Sequence, residues 1–136
     1  VYNRGSNNAW CEALIRRTKH LQSNLVRQDG HYKPVFVKVR AGPAGTEFPR
    51  AIAAARDYGL DGVVLVTDNL ERLAAICARL GGRTRVISVG GISTSYDVRA
   101  RISAGAALVQ VYTAMATSGE PWIRQMLNEL NEGRGT

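Results

Sequence analysis

Four short runs dominated by β-branched residues recur along this chain, each followed by a helical pattern: VFVKV at 35–39, GVVLVT at 62–67, RVISVGG at 85–91 and ALVQVYT at 107–113. Runs this apolar, without clean alternation, point to strands covered on both faces, as in parallel sheets. Their starts, at 35, 62, 85 and 107, leave room for one strand, a turn and a helix each. Strands joined by helical crossovers form a parallel sheet with right-handed connections. The repeating unit is therefore strand then helix, four times over.

The helices carry legible start and stop signals. Thr46 can cap a helix running to about Tyr58, with Pro49 tolerated in its first turn. Gly59 supplies a stop, after which Leu60 can fold back on the helix. Asn69 caps the next, whose Leu70, Leu73, Ile76, Cys77 and Leu80 share a face that ends at Gly81 and Gly82. Ser93 or Thr94 caps a third, with Val98 and Ile102 inward and Gly105 closing it. Ser118 precedes a final helix with Trp122, Met126, Leu127 and Leu130 on one side, and 131–136 read as a frayed tail. Ahead of the first strand, a helix around 9–27 sets Trp10, Leu14, Leu21 and Leu25 on a stripe.

Two architectures fit this order: an open doubly wound sheet, or half of a (β/α)8 barrel. A whole barrel takes about 200–250 residues. The 136 residues here cannot close one. The chain reads as one domain over 1–136, with an N-terminal helical segment (1–32), the βα units (33–117) and a C-terminal helix (118–132).

Composition narrows the setting. With 45% hydrophobic and 21% charged residues the chain has the make-up of a soluble globular domain. No apolar run approaches the roughly 18–20 residues that a transmembrane helix needs. The N-terminus, VYNRGSNN, lacks the basic-then-apolar pattern of a signal peptide, and a start at Val1 rather than Met points to sequence upstream. Cys11 and Cys77 are too few for a disulfide scaffold, show no metal-ligand spacing, and are expected as buried free thiols. A net charge of +7 raises the question of nucleic acid, but the arginines are scattered and no basic run interleaves aromatics. A high pI fits equally a mitochondrial compartment or an acidic partner.

The strongest chemical signal lies after the third and fourth strands. Paired glycines after a strand, Gly90 and Gly91, let backbone N–H groups face an anion without a Cβ in the way, and the next helix directs its positive end there. Gln110, Val111, Tyr112, Thr113 and Ala114 end the fourth strand, where further N–H groups can converge. In barrel enzymes the loops after strands seven and eight commonly build one phosphate site. A tight βα turn alone would also use two glycines. Lys38 stands in an apolar strand and belongs either on a polar barrel interior, or against an anion at its mouth, or snorkelling from an edge. Thr67, Asp68 and Asn69 end the second strand, where helix capping is a sufficient reason for them. His20 and His31 are isolated surface residues, and no nucleophile–base pair, carboxylate pair or metal cluster stands out.

These residues together resemble a known family. KPVFVKV at 33–39 resembles the strand bearing a flavin-contacting lysine in quinone-using dihydroorotate dehydrogenases, and DGVVLVTDN at 61–69 resembles that family's strand ending Thr-Asn-Thr. VISVGGIS at 86–93 and ISAGAALVQVYTA at 102–114 are very similar to its flavin-phosphate signature. The resemblance implies an α/β fold of four βα units with an N-terminal helix, corresponding to the C-terminal half of a (β/α)8 TIM barrel. It implies that Lys38 and Thr67 contact FMN, and that backbone groups at Val89, Gly90, Gly91, Tyr112 and Thr113 hold its phosphate. Asp68 stands where the family has an asparagine that binds flavin and orotate, which sets a carboxylate against an anionic substrate. Asn3 would match a further family asparagine, without the Pro-Gly that follows it there.

Two further departures weigh on function. The family's Gly-Gly-Leu-Ser-Gly loop after strand six is absent, and so is the barrel half with the catalytic serine base. The implied function is the FMN-phosphate-binding half of a dihydroorotate-oxidising flavoprotein of pyrimidine biosynthesis, inactive alone, with another protein chain completing or covering the half barrel. The alternative is a non-catalytic, degenerate fragment serving as a structural subunit of a larger, mitochondrial assembly.

Overall fold

Alternation along the strands decides which way the sheet faces. In β1 (Phe36–Arg40), Val39 is buried while Phe36, Lys38 and Arg40 are exposed. In β2 (Gly62–Val66), Val63 and Leu65 are fully buried; in β3 (Arg85–Val89), Val86 and Ser88 are. β4 (Leu108–Gln110) shows Leu108 and Gln110 and half-buries Val109. The chain is described here by a computed structural model, over residues 9–43 and 45–132.

The four strands pair in the order β1-β2-β3-β4, all parallel. Right-handed crossovers between neighbouring strands place every connecting helix on the same face. These are α2 (Arg50–Asp57), α3 (Leu70–Leu80) and α4 (Ser95–Ser103), with α1 (Ala9–Asp29) packed beside α2 and α5 (Thr113–Glu132) beside α4. Ile52, Leu65, Leu73 and Ile76 lie wholly inside this helix–sheet layer. Each such side chain contributes about 1.5–3 kcal/mol by leaving water.

The expectation of strands covered on both faces is therefore corrected. The opposite face is bare, and its register stacks side chains in rows: Lys38 beside Val64, Ile87 and Leu108, then Arg40 beside Val66, Val89 and Gln110. Rows of this kind fill the interior of a closed barrel. An uncovered apolar-and-basic face is what half of one would present.

Several local expectations hold. Asn69 caps α3 by accepting from the Arg72 N–H at 2.7 Å, and Gly81 ends that helix in the left-handed region. Leu60 folds back, its N–H donating to Ala55 O at 2.8 Å. Thr94 and Asp97 form a reciprocal capping box at α4.

Others are corrected. Thr46 does not open α2: its hydroxyl donates to Pro43 O at 2.7 Å, and the helix begins at Arg50 with Pro49 as its cap. On α4 the inward pair is Val98 and Arg101, while Ile102 is 45% exposed. Residues 131 and 132 are helical rather than frayed; 133–136 and Asn3 lie outside the described residues. α5 begins at Thr113, and Gly119 kinks it before Pro121. Cys11 and Cys77 form no disulfide and are only half-buried rather than buried.

Candidate functional site

At the C-terminal ends of β3 and β4 the chain opens a cleft of about 790 Å³. It is built locally. β3 runs into Gly90 and Gly91, both at positive φ (104° and 59°), and turns into the capped N-terminus of α4. A Cβ added to Gly90 would stand 3.3 Å from Thr67 O; one added to Gly91 would stand 3.1 Å from the Arg101 guanidinium and 3.2 Å from Asp68 Cβ. Backbone strain and close contacts both disfavour other residues at these two positions. β4 ends at Gln110, and Thr113 begins α5, whose first-turn N–H groups lack intrahelical acceptors.

Six residues singled out from the sequence line this one cleft: Lys38, Val89, Gly90, Gly91, Tyr112 and Thr113. Lys38 reaches it from β1, across the bare face. Thr67 and Asp68 are not among its lining residues. Thr67 is buried on the helix side: its hydroxyl accepts from the Asn69 N–H at 3.1 Å and its carbonyl from Arg101 at 2.9 Å. Asp68 is exposed beside Gly91.

Sequence reasoning overlooked two contributors, Trp122 and Arg101. Trp122 lines the cleft and donates its indole N–H to Ser93 O at 3.1 Å, closing the far wall. Gln110 lies in the Arg40 row and faces inward. Arg101 sits buried behind the glycine pair. Trp122 had been placed on an apolar helix face, and only the kink at Gly119 aims it at the cleft.

The electrostatics favour an anion. Lys38 is the only charged side chain among the described lining residues. Asp97, beside the loop, is held below its ordinary carboxylate value, first by the Ser93 N–H and then by the Thr94 hydroxyl and N–H. It spends its charge on the cap rather than on the cleft.

The dihydroorotate dehydrogenase family model matches residues 46–133, which is more than half of the chain and takes in the whole glycine-pair loop. The chain belongs to the dihydroorotate dehydrogenase family. A dihydroorotate dehydrogenase (quinone) of Kineococcus radiotolerans is 44% identical over 91 residues, which cover 66% of this chain and 25% of that protein. The corresponding protein of Akkermansia muciniphila is 28% identical over 144 aligned positions, covering 86% of this chain and 41% of its own length. The chain thus spans about a quarter to two-fifths of these relatives. Among solved structures, the ligand-free dihydroorotate dehydrogenase of Eimeria tenella matches with a TM-score of 0.73 over 94% of this chain and 47% of that one, at 21% identity. The fold is that of part of a dihydroorotate dehydrogenase: four βα units corresponding to the C-terminal half of the barrel. No helix among the described residues is long and apolar enough to cross a membrane, and their His, Cys, Asp and Glu side chains form no cluster of three or more that could hold a metal ion.

Proposed function

We propose that this chain is the FMN-phosphate-binding half of a dihydroorotate-oxidising flavoprotein, completed by a further set of four strands. One observation carries the reading: a single cleft gathers Lys38, the Gly90–Gly91 pair and the Tyr112–Thr113 turn at one end of a parallel sheet. The glycine pair fits a phosphate ester, because the two missing Cβ atoms leave the backbone open to close approach. Lys38 offers a mobile cation from the facing strand. FMN, when bound, would accept the hydride that dihydroorotate loses.

The chain's own share is binding and orientation. Proton abstraction needs a positioned base, and no histidine, aspartate or glutamate is among the described lining residues. The uncovered sheet rows and the free edges of β1 and β4 are where the completing strands would add. Sequence-level likeness, not contact geometry, assigns Thr67 and Asp68 to flavin and substrate.

A second reading is a non-catalytic subunit of a larger assembly, and two observations favour it. Asn69 passes straight into α3 at Leu70, leaving no loop to close over a flavin. Asp68 puts a carboxylate at the rim where an anionic substrate would approach. The high pI fits a mitochondrial setting for either reading.

The test is colour and bleaching. The purified chain mixed with FMN should retain a yellow absorbance band through gel filtration. Dihydroorotate should leave that band unchanged until a protein carrying the first four strands of a relative's barrel is added. A chain that retains no FMN removes the flavoprotein reading. Retained FMN that stays oxidised even with the complement points to the second.

A further inference from the structure

Two arginines are buried among the described residues, and they differ in kind. Arg72 is fully accounted for: it donates to Ala41 O, Glu47 O and the Thr46 hydroxyl, and lies 4.3 Å from the Phe48 ring centroid. Arg101 is deeper, at 2% exposed, and less satisfied. Its Nη1 donates to Thr67 O and to Ser88 Oγ, both at 2.9 Å, while its Nε has no partner in the described chain. Its Nη2 lies 3.1 Å from the point where a Gly91 Cβ would stand.

A buried guanidinium with an unmade bond costs stability, and an apolar residue would fill the same space at less cost. The location of this one is informative. Arg101 extends from α4 beneath the sheet and grips the end of β2 through Thr67 O and the end of β3 through Ser88. Gly91 lies directly against it, and Gly90 lies against Thr67, whose carbonyl the guanidinium holds. The guanidinium therefore sets how the two strand ends stand apart, and puts a positive charge behind the loop, away from solvent. Screening is weak there, so a charge acts over a longer reach than at the surface.

We propose that Arg101 is a positioning residue of the anion cleft, fixing the Gly90–Gly91 loop and supplying from behind it the charge that makes the site prefer a phosphate dianion over a neutral ligand. This rests on reading the cleft as a phosphate site. It places the guanidinium where a side chain at Gly91 would crowd it. It also gives the Asp68 carboxylate a nearby compensating cation, since Asp68 and Asp97 both act electrostatically on Arg101.

FMN and riboflavin, which differ by the phosphate, separate this role from simple scaffolding. Each is titrated into the full chain and followed by flavin fluorescence. Arg101→Met should weaken FMN binding about tenfold and leave riboflavin binding where it was. Arg101→Lys, which keeps the charge but loses the fork, should fall between Met and the wild type. Unchanged FMN affinity in Arg101→Met, or equal losses for both flavins, overturns the proposal. If Arg101→Met does not fold, Arg101→Lys and Ser88→Ala decide by the same criterion: a loss confined to FMN supports it, and an equal loss or none overturns it. A wild-type chain that binds neither flavin overturns the phosphate reading of the cleft, and this role with it.

Discussion

Asp97 shows how much of the cleft wall hangs on single side chains. One of its oxygens accepts from the N–H groups of Ser93 (3.0 Å) and Thr94 (2.9 Å) and from both hydroxyls, while Thr94 Oγ1 accepts in return from the Asp97 N–H. Those bonds favour the carboxylate, so its folded pKa lies below the unfolded value. The linkage then has a definite sign. The stabilisation is complete above the unfolded carboxylate pKa of about 3.9 and is lost as pH falls through the lower, folded one. Thr94→Ala, which removes the cap, should cost roughly 1 kcal/mol at neutral pH. Asp97→Asn should be less stable than wild type at pH 7, and the two should converge as the solution is taken below about pH 4. Thermal melts across that range check this; a difference that stays constant would show that the Asp97 charge contributes nothing.

At the scale of elements, α3 shows how burial rather than capping sets a helix's contribution to stability. Leu73 and Ile76 are both fully buried against the sheet, whereas Leu70 on the same helix is 40% exposed. Ile76→Ala should therefore cost about 2–5 kcal/mol, against roughly 1 kcal/mol for removing the Asn69 cap. Denaturant midpoints would measure both, and comparable losses would mean that the α3 core relaxes to fill the cavity. The same contrast explains what could be read from the chain. The strands and their helices were legible because β-branched runs, Asn69, Gly59, Gly81 and the Thr94–Asp97 pair act within a few residues of one another. The glycine pair was legible for the same reason. α1 was legible as a helix but not in its buried face: its conspicuous stripe of Trp10, Leu14, Leu21 and Leu25 is 44–54% exposed, and Ile15 and Gln22 are buried instead. Gln22 earns its place across the fold, donating to Lys33 O (2.5 Å) and to Asp61 (3.1 Å), whose carboxylate also takes the Val35 N–H and the Tyr32 hydroxyl. Arg101 was missed likewise, because its partners Thr67 and Ser88 stand 34 and 13 residues away.

For the whole molecule, the exposed features add up to one consequence. The α1 stripe and the free edge of β1 adjoin one another: a small groove of about 130 Å³ runs between Leu21 and Leu25 on α1 and Val35, just before β1. Strand edges and contiguous apolar surface are both association sites, and here they share a border. β1 offers the better edge, with five residues in strand against three in β4. A second copy is a poor fit for the face itself. Lys38 would meet its own counterpart there, with no carboxylate in its row to offset it. The α1 seam carries a single lysine, Lys33, among its described lining residues, so the penalty there is smaller. At micromolar concentration the chain should scatter light as a species heavier than its own 14.8 kDa. Leu21→Glu with Leu25→Glu should reduce that association and leave helical circular dichroism intact, since neither side chain is buried. A monodisperse 14.8 kDa wild-type particle would mean that this border is inert in water. A heavy particle that the two glutamates do not shrink would instead move the contact to the sheet face or to the β4 edge.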